Sequence, residues 1–195
     1  MNDPTLPERT KRGRLKLLLL AAFFALPVAG GWIAYLSGWV PGAAGNYGEL
    51  LTPRAVPDPA LSDVGGRPMK LSALRGRWVL IAFDAAVCDA YCERKLYFMR
   101  QTRRALGAER QRVERVWMVT DAAAPAPALL AAIDGTHVVR SVTQLAEAFP
   151  AVSRVSDHIY VIDPHGNLMM RYPRDPDPAR MIKDLKHLLK YSQIG

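Results

Sequence analysis

Apolar residues fall along this chain as one long block followed by a series of short ones. The long block, Leu17–Val40, reads LLLLAAFFALPVAGGWIAYLSGWV and has no charged residue in 24 positions. A helix needs about 20 apolar residues to cross the hydrocarbon core of a bilayer, whereas the apolar part of a signal peptide runs to about 7–15. The block therefore predicts an uncleaved membrane anchor, although Val28–Gly30 imitates a cleavage site. Trp32, Tyr35 and Trp39 lie towards its far end, where amphipathic rings favour the membrane–water interface. Pro27 should kink the helix, which membrane segments tolerate.

The short blocks begin after Pro41–Pro59, a Gly-, Pro- and Ala-rich stretch without a period that reads as a linker. The segment GGRPMKLSALRGRW predicts a small hairpin or turn with one helical turn at LSALRG. Trp78, Val79, Ile81 and Phe83 mark a buried strand within RWVLIAFDA. A helix should follow from Cys88 to about Leu106, with Gly107 as its stop. A second buried strand lies in Val113–Asp121, then a helix in APAPALLAAID, a short strand at THVVR and a short helix at TQLAEAF. HIYVIDPHGNLMMRYP predicts a hairpin turning at Asp163–Asn167. Asp177–Tyr191 carries Met181, Ile182, Leu185, Leu188 and Leu189 on one helical face.

Strands that alternate with helices imply an α/β fold with a largely parallel sheet covered on both faces, to which the hairpin adds antiparallel strands. With a cysteine pair at the end of the first core strand, the arrangement is thioredoxin-like. The domain expectation is a basic tail (1–16), an anchor (17–40), a linker (41–59) and an exported domain (60–195).

Charge orients the anchor. Arg9, Lys11, Arg12, Arg14 and Lys16 crowd the N-terminus, and such clusters stay on the cytoplasmic side. Everything beyond about Pro41 then lies outside the membrane, which in a bacterium is the periplasm, where disulfides form. The implied topology is a single-pass protein of the bacterial inner membrane with its N-terminus in the cytoplasm. Of the net charge of +8, about +5 remains in residues 41–195. Arg94, Lys95, Arg100, Arg103 and Arg104 could make a basic helix face. Without a basic stripe interleaved with aromatic platforms, this reads as a solvated or acid-binding surface and not as a nucleic-acid interface.

The two cysteines of the chain, Cys88 and Cys92, stand in VCDAYCERK. At i and i+4 on a helix they would share a face, beyond the C-terminal end of a strand, where open α/β sheets place ligands. A static disulfide, a redox pair and a metal clamp all suit that spacing. Two thiolates with a third donor would select Cu(I), Zn or an iron–sulfur cluster. Among the four histidines, His158 stands at the start of a strand expected beside the cysteine helix. His165 belongs to the turn at that strand's other end, His137 to a peripheral strand and His187 to the last helix.

The stretch RWVLIAF, the C-D-A-Y-C pair and DHIYVIDPHGNL together resemble the Sco/SenC family, membrane-anchored thioredoxin-like proteins of cytochrome c oxidase assembly. Cys88, Cys92, Asp157, His158, Asp163, Pro164 and Gly166 match its pattern, and Asp121 resembles its strand-end Asp. The chain resembles a divergent member, since Asp89 and Glu93 replace prolines after the cysteines and DAAV replaces an aromatic–Thr stretch. The resemblance implies copper held by Cys88, Cys92 and His158. It also implies delivery of copper or reducing equivalents to the copper-bearing subunit of the oxidase, alone or with other assembly factors. Asp157 would either orient His158 from behind or cap the strand turn. Two alternatives stand beside copper transfer. One is a thiol–disulfide oxidoreductase, for which the spacing is one residue longer than Cys-x-x-Cys and no proline precedes the hairpin strand nearer than Pro150. The other is a static disulfide in a membrane-tethered interaction module.

Overall fold

The structure is a computed structural model that describes residues 6–37, 45–192 and 194. The chain divides into two units, Met1–Gly45 and Asn46–Gly195. In the first, α1 (Leu6–Leu36) runs through Pro27, and its stretch Gly13–Leu36 is long and apolar enough to cross a membrane. The helix thus begins well before the apolar block, among the basic residues. Residues 38–44, which include Trp39 and the start of the expected linker, lie outside the described residues.

The second unit runs β1 (Glu49–Ala55), β2 (Leu61–Ser62), β3 (Pro68–Met69), β4 (Trp78–Asp84), α2 (Ala90–Ala105), β5 (Val113–Val119), α3 (Pro127–Ala132), β6 (His137–Arg140), α4 (Thr143–Glu147), β7 (Ile159–Ile162), β8 (Asn167–Arg171) and α5 (Pro178–Tyr191). Short 3₁₀ turns fill Leu71–Leu74, Gly107–Arg112 and Val155–Asp157. Six strands form one sheet in the order β1-β8-β7-β4-β5-β6, and β2 and β3 form a separate small hairpin. The β4, β5 and β6 strands are parallel, whereas β7, β8 and β1 add on antiparallel.

Every residue of β4 and β5 is buried, as strands covered on both faces require. Alternation sends Trp78, Leu80 and Ala82 of β4 to one core, with Leu96 and Met99 of α2 and Met181, Leu185 and Leu189 of α5. Val79, Ile81 and Phe83 go to the other, with Leu74, Leu145 and Phe149. The thioredoxin-like α/β expectation therefore holds for the strands from β4 to β8.

The stretch 41–59 is where sequence and structure part. Residues Glu49–Ala55, expected within a linker, form edge strand β1 against β8, with a register shift between Leu50 and Arg54. A bulged edge strand carries no clean period-2 signal, so pattern reading misses it. Its entry is fixed by Asp184 of α5, a buried carboxylate that accepts hydrogen bonds from the backbone N–H groups of Tyr47 (3.0 Å) and Gly48 (2.8 Å). Gly48 is required there, because a Cβ would fall 2.6 Å from the Met170 sulfur.

Removing the Asp184 carboxylate leaves the buried Gly48 N–H without a partner, whereas the part-buried Tyr47 N–H can turn to water. A hydrogen bond to a charged acceptor contributes about 1.5–3 kcal/mol. Asp184→Ala should therefore lower stability by about 2–4 kcal/mol in urea denaturation, with the slope little changed. A midpoint equal to wild type would show that the clamp carries no stability.

Candidate functional site

The site lies at the C-terminal end of β4. Beyond Asp84 the chain turns through Ala85–Asp89 before α2 begins. Asp121 holds the turn from the neighbouring strand end, its carboxylate accepting from the Ala86 N–H at 3.1 Å. The Cys88 N–H donates to the Ala86 carbonyl at 3.0 Å. Asp89 caps the helix, its carboxylate accepting from the Cys92 N–H at 2.8 Å. Cys88 therefore sits just outside α2, not on it, and the helix starts two residues later than expected. An Asp at the residue after Cys88 serves the helix by satisfying an end N–H that a proline could not.

Cys88 and Cys92 are joined in a disulfide, with Cα atoms 5.3 Å apart. Cys92 is only 2% exposed and belongs to the core beneath α2, whereas Cys88 is half-buried. A pocket opens beside Cys92, bounded by Asp84, Val87, Asp89, Thr120 and Arg154.

Below the disulfide is a pair that sequence reading missed. Lys95, expected on a basic outer face, points inward and is 1% exposed. Its ammonium lies 2.7 Å from Asp84 Oδ2 and donates to the Ser156 carbonyl. The signal was present: Lys95 falls in step with Cys92, Leu96 and Met99, the buried stripe of α2. Burial pushes the Asp84 carboxyl up to about 6, against the pull of Lys95. Burial likewise lowers Lys95, against the pull of Asp84. Desolvation outweighs pairing in both.

His158 follows the turn Val155–Asp157 in extended backbone and is 7% exposed. Its Nδ1 lies 2.8 Å from the Tyr172 carbonyl oxygen, so Nδ1 carries the proton. The other ring nitrogen, Nε2, is buried without a partner. Side chains alternate here: Ile159 and Val161 pack in the core that holds Cys92, and Tyr160 and Ile162 in the other. The His158 ring meets that of Tyr160 edge-on at 5.8 Å between centroids. It therefore stands on the Tyr160 side of the sheet, opposite the disulfide.

Asp157 does not orient His158 through a side-chain bond. Its carboxylate faces Arg154 (3.5 Å) and Arg174 (4.0 Å), and its carbonyl accepts from the Tyr91 hydroxyl at 2.9 Å. The Tyr91 ring has Lys95, Arg174 and Arg94 at 4.8, 5.3 and 5.7 Å, a cationic latch between α2 and the turn before His158. His165 lies in the β7–β8 turn, His137 is 3.6 Å from Glu114, and His187 stacks near Tyr191.

The structure thus brings Cys88, Cys92 and Asp121 around one turn and leaves His158 across the sheet. Among the described residues, no three His, Cys, Asp or Glu side chains are grouped to hold a metal. Two sulfurs and an imidazole are a donor set suited to Cu(I). In this disulfide form the sulfurs are bonded to each other.

The Asp84 shift has a sign that can be checked. The unfolded carboxyl titrates near 4 and the folded one near 6. The folded state therefore holds an extra proton in that window. Its contribution to stability is complete below about pH 4 and is lost as pH rises through 6, on the order of 3 kcal/mol in all. Urea denaturation between pH 4 and 7 should show a decline in wild type that Asp84→Asn removes. Equal slopes in the two proteins would assign the shift elsewhere.

Comparisons place this geometry among known folds. A yeast Sco1 crystal structure with copper bound superposes with a TM-score of 0.60 at 16% identity, covering 73% of this chain and 96% of that one. Apo Sco1 from Thermus thermophilus gives 0.60 at 20% identity, covering 76% and 99%. The thioredoxin domain of a thiol-disulfide oxidoreductase from Bacteroides vulgatus gives 0.53 at 16%, covering 72% and 99%. No curated protein matches the sequence. At these identities the likeness is one of fold, shared by copper-bound and oxidoreductase structures alike. A family model described as "Transmembrane-like, thioredoxin-like, C-terminal domain" matches residues 78–192, from the first residue of β4 to just past α5, and the chain belongs to that family.

Proposed function

We propose that this chain is a membrane-anchored thiol–disulfide oxidoreductase, with Cys88 and Cys92 as its redox pair. The observation that carries the reading is the Cys88–Cys92 disulfide at the start of α2, half-open at Cys88 and sealed at Cys92. Reduction of that disulfide gives two thiols at a helix N-terminus, where free N–H groups favour thiolate. Cys88, the accessible sulfur, attacks a partner disulfide and forms a mixed disulfide. Cys92 displaces the partner's thiolate and restores the intramolecular bond. Asp84, which lines the same pocket as Cys92 and has a carboxyl raised to about 6, would take the Cys92 proton in the reduced protein.

The anchor would hold this domain at the outer face of a bacterial inner membrane, in the periplasm, with the basic N-terminus in the cytoplasm. The partner implied by the Sco/SenC resemblance is the copper-bearing subunit of cytochrome c oxidase, whose cysteine ligands must be reduced before they bind metal. This protein would serve by keeping them so.

A second reading, copper binding, is favoured by the orphaned Nε2 of His158. An imidazole oriented through Nδ1 by a backbone carbonyl, with Nε2 left over, has the geometry of a metal ligand. In the reduced protein, Cys88 and Cys92 would supply two soft donors and His158 the third, provided the turn Val155–Asp157 brings the ring across. Copper, when bound, would be cargo for the oxidase.

Two measurements separate these readings. The full chain in detergent, equilibrated in glutathione redox buffers, should interconvert between dithiol and disulfide as a two-electron couple, and Cys88→Ser or Cys92→Ser should abolish it. A disulfide that stays closed in millimolar reduced glutathione would make the bond static. Competition for Cu(I) against bicinchoninate should then give one copper per reduced chain, weakened about tenfold or more by His158→Ala. Loss with the cysteine variants alone would leave a bare dithiol and remove the copper reading.

A further inference from the structure

A groove leads away from the disulfide between α2 and α3. It begins at Ala90, two residues along the chain from Cys88, passes Glu93 and Arg94, and ends at Arg100 and Ile133. Between them its walls are apolar: Tyr97, which is 54% exposed, on α2, and Leu129 on the α3 side. It holds about 600 Å³.

Charge is distributed unevenly along it. The end near Cys88 carries Glu93 and Arg94. The far end carries Arg100, which forms no ion pair among the described residues, whereas Arg94 is engaged by Asp175 at 3.0 Å. Behind that end lies Arg115 of β5, a guanidinium only 3% exposed. Its Nη2 donates to the Asp134 carbonyl at 2.8 Å, next to Ile133, and its Nε and Nη1 are buried without partners. Burial first, then Arg103 and Arg100, lower Arg115 to about 10. Glu114 and Asp134 offset this buried cation only in part, and fields from buried charges are weakly screened.

We infer that this groove seats an extended segment of the redox partner, with the partner's cysteine at Cys88 and a carboxylate about four residues away at Arg100. The span fits. The Cα of Cys88 lies 5.3 Å from that of Cys92, and Cys92 to Arg100 is eight residues of α2, or about 12 Å at 1.5 Å per residue, at most about 17 Å together. Four steps of an extended strand at 3.3 Å each cover about 13 Å, and the long arginine and glutamate side chains bridge the rest. Apolar side chains between the two ends meet Tyr97 and Leu129. Glu93 repels a carboxylate placed next to the partner's cysteine, so the groove reads polarity as well as charge. Arg100 makes the contact, and Arg115 adds to the attraction from behind. This inference rests on the oxidoreductase reading and names the class of substrate for it.

The test uses the reduced full chain in detergent and pentapeptides whose cysteine is a mixed disulfide with 2-thiopyridine. Cys88 thiolate attacks the peptide sulfur, and the bond to 2-thiopyridine breaks, releasing coloured pyridine-2-thione. Cys92 then displaces the peptide thiol and closes the protein disulfide, so two electrons pass from the dithiol to the mixed disulfide. Three peptides differ only in charge: glutamate four residues from the cysteine, glutamine there instead, and glutamate beside the cysteine. At low salt the first should react about two- to fivefold faster than the second, as a solvent-accessible ion pair allows. The third should be slowest, and the differences should shrink as salt is added. Arg100→Gln should erase the preference while its rate with neutral hydroxyethyl disulfide stays at wild type. Equal rates for the three peptides, with hydroxyethyl disulfide still reduced, would overturn the groove assignment and leave the oxidoreductase standing. No reaction even with hydroxyethyl disulfide would overturn both.

Discussion

Lys95 brings a charge into the core directly under the cysteine pair, and the arrangement of the site depends on how that charge is held. Its two partners come from different elements. Asp84 ends the central strand, and Ser156 belongs to the turn before His158. One ammonium therefore ties the cysteine helix, the strand end that launches the cysteine turn, and the segment that positions the histidine. Burying an ion pair is costly and its net contribution to stability is small. Its value here is positional: with either partner gone the remaining charge would be stranded, so α2 has one allowed seat on the sheet.

That seat explains the unequal cysteines. Cys92 shares the inward stripe of α2 with Lys95, Leu96 and Met99 and is buried with them. Cys88 lies outside the helix, where Asp89 caps the first turn and Asp121 holds the loop. An accessible sulfur that can be attacked and a covered one that can close the bond are what a two-step exchange requires. The same seat sets the direction of the groove along α2, since Tyr97 and Arg100 project from the face that the inward stripe leaves free.

Much of this was legible in the sequence because it rests on local rules. The β4 and β5 strands are continuous apolar runs, and they fold as strands buried on both faces. Asp163–Asn167 is turn chemistry, and the β7–β8 hairpin turns there, with Asp163 accepting from three groups of its own loop. What stayed hidden was non-local. Strand β1 is specified by Asp184, more than 130 residues away, and by the close approach of Gly48 to Met170. Lys95 read as a surface base because its partner, Asp84, is unremarkable in isolation at the end of an apolar run. The cysteine pairing was within reach of spacing, but the helix boundary was not, since one carboxylate moved the start past Cys88.

His158 shows most clearly how far a motif extends. The Asp-His pair is present, and the strand behind it forms as the pattern implies. Yet the number of residues between His158 and the strand decides which face the ring occupies, because each step along extended backbone reverses the side chain. With Ile159 turned toward Cys92, His158 is turned toward Tyr160. To join the sulfurs, the ring would have to leave the Tyr172 carbonyl and the turn at Val155–Asp157 would have to rotate, against Tyr91, Arg154 and Arg174 that now hold it. Lys95 holds the same turn through Ser156 and is itself paired with Asp84 beside Cys92. One ammonium therefore braces both the helix that carries Cys92 and the turn that carries His158, so a change that frees one element also loosens the other.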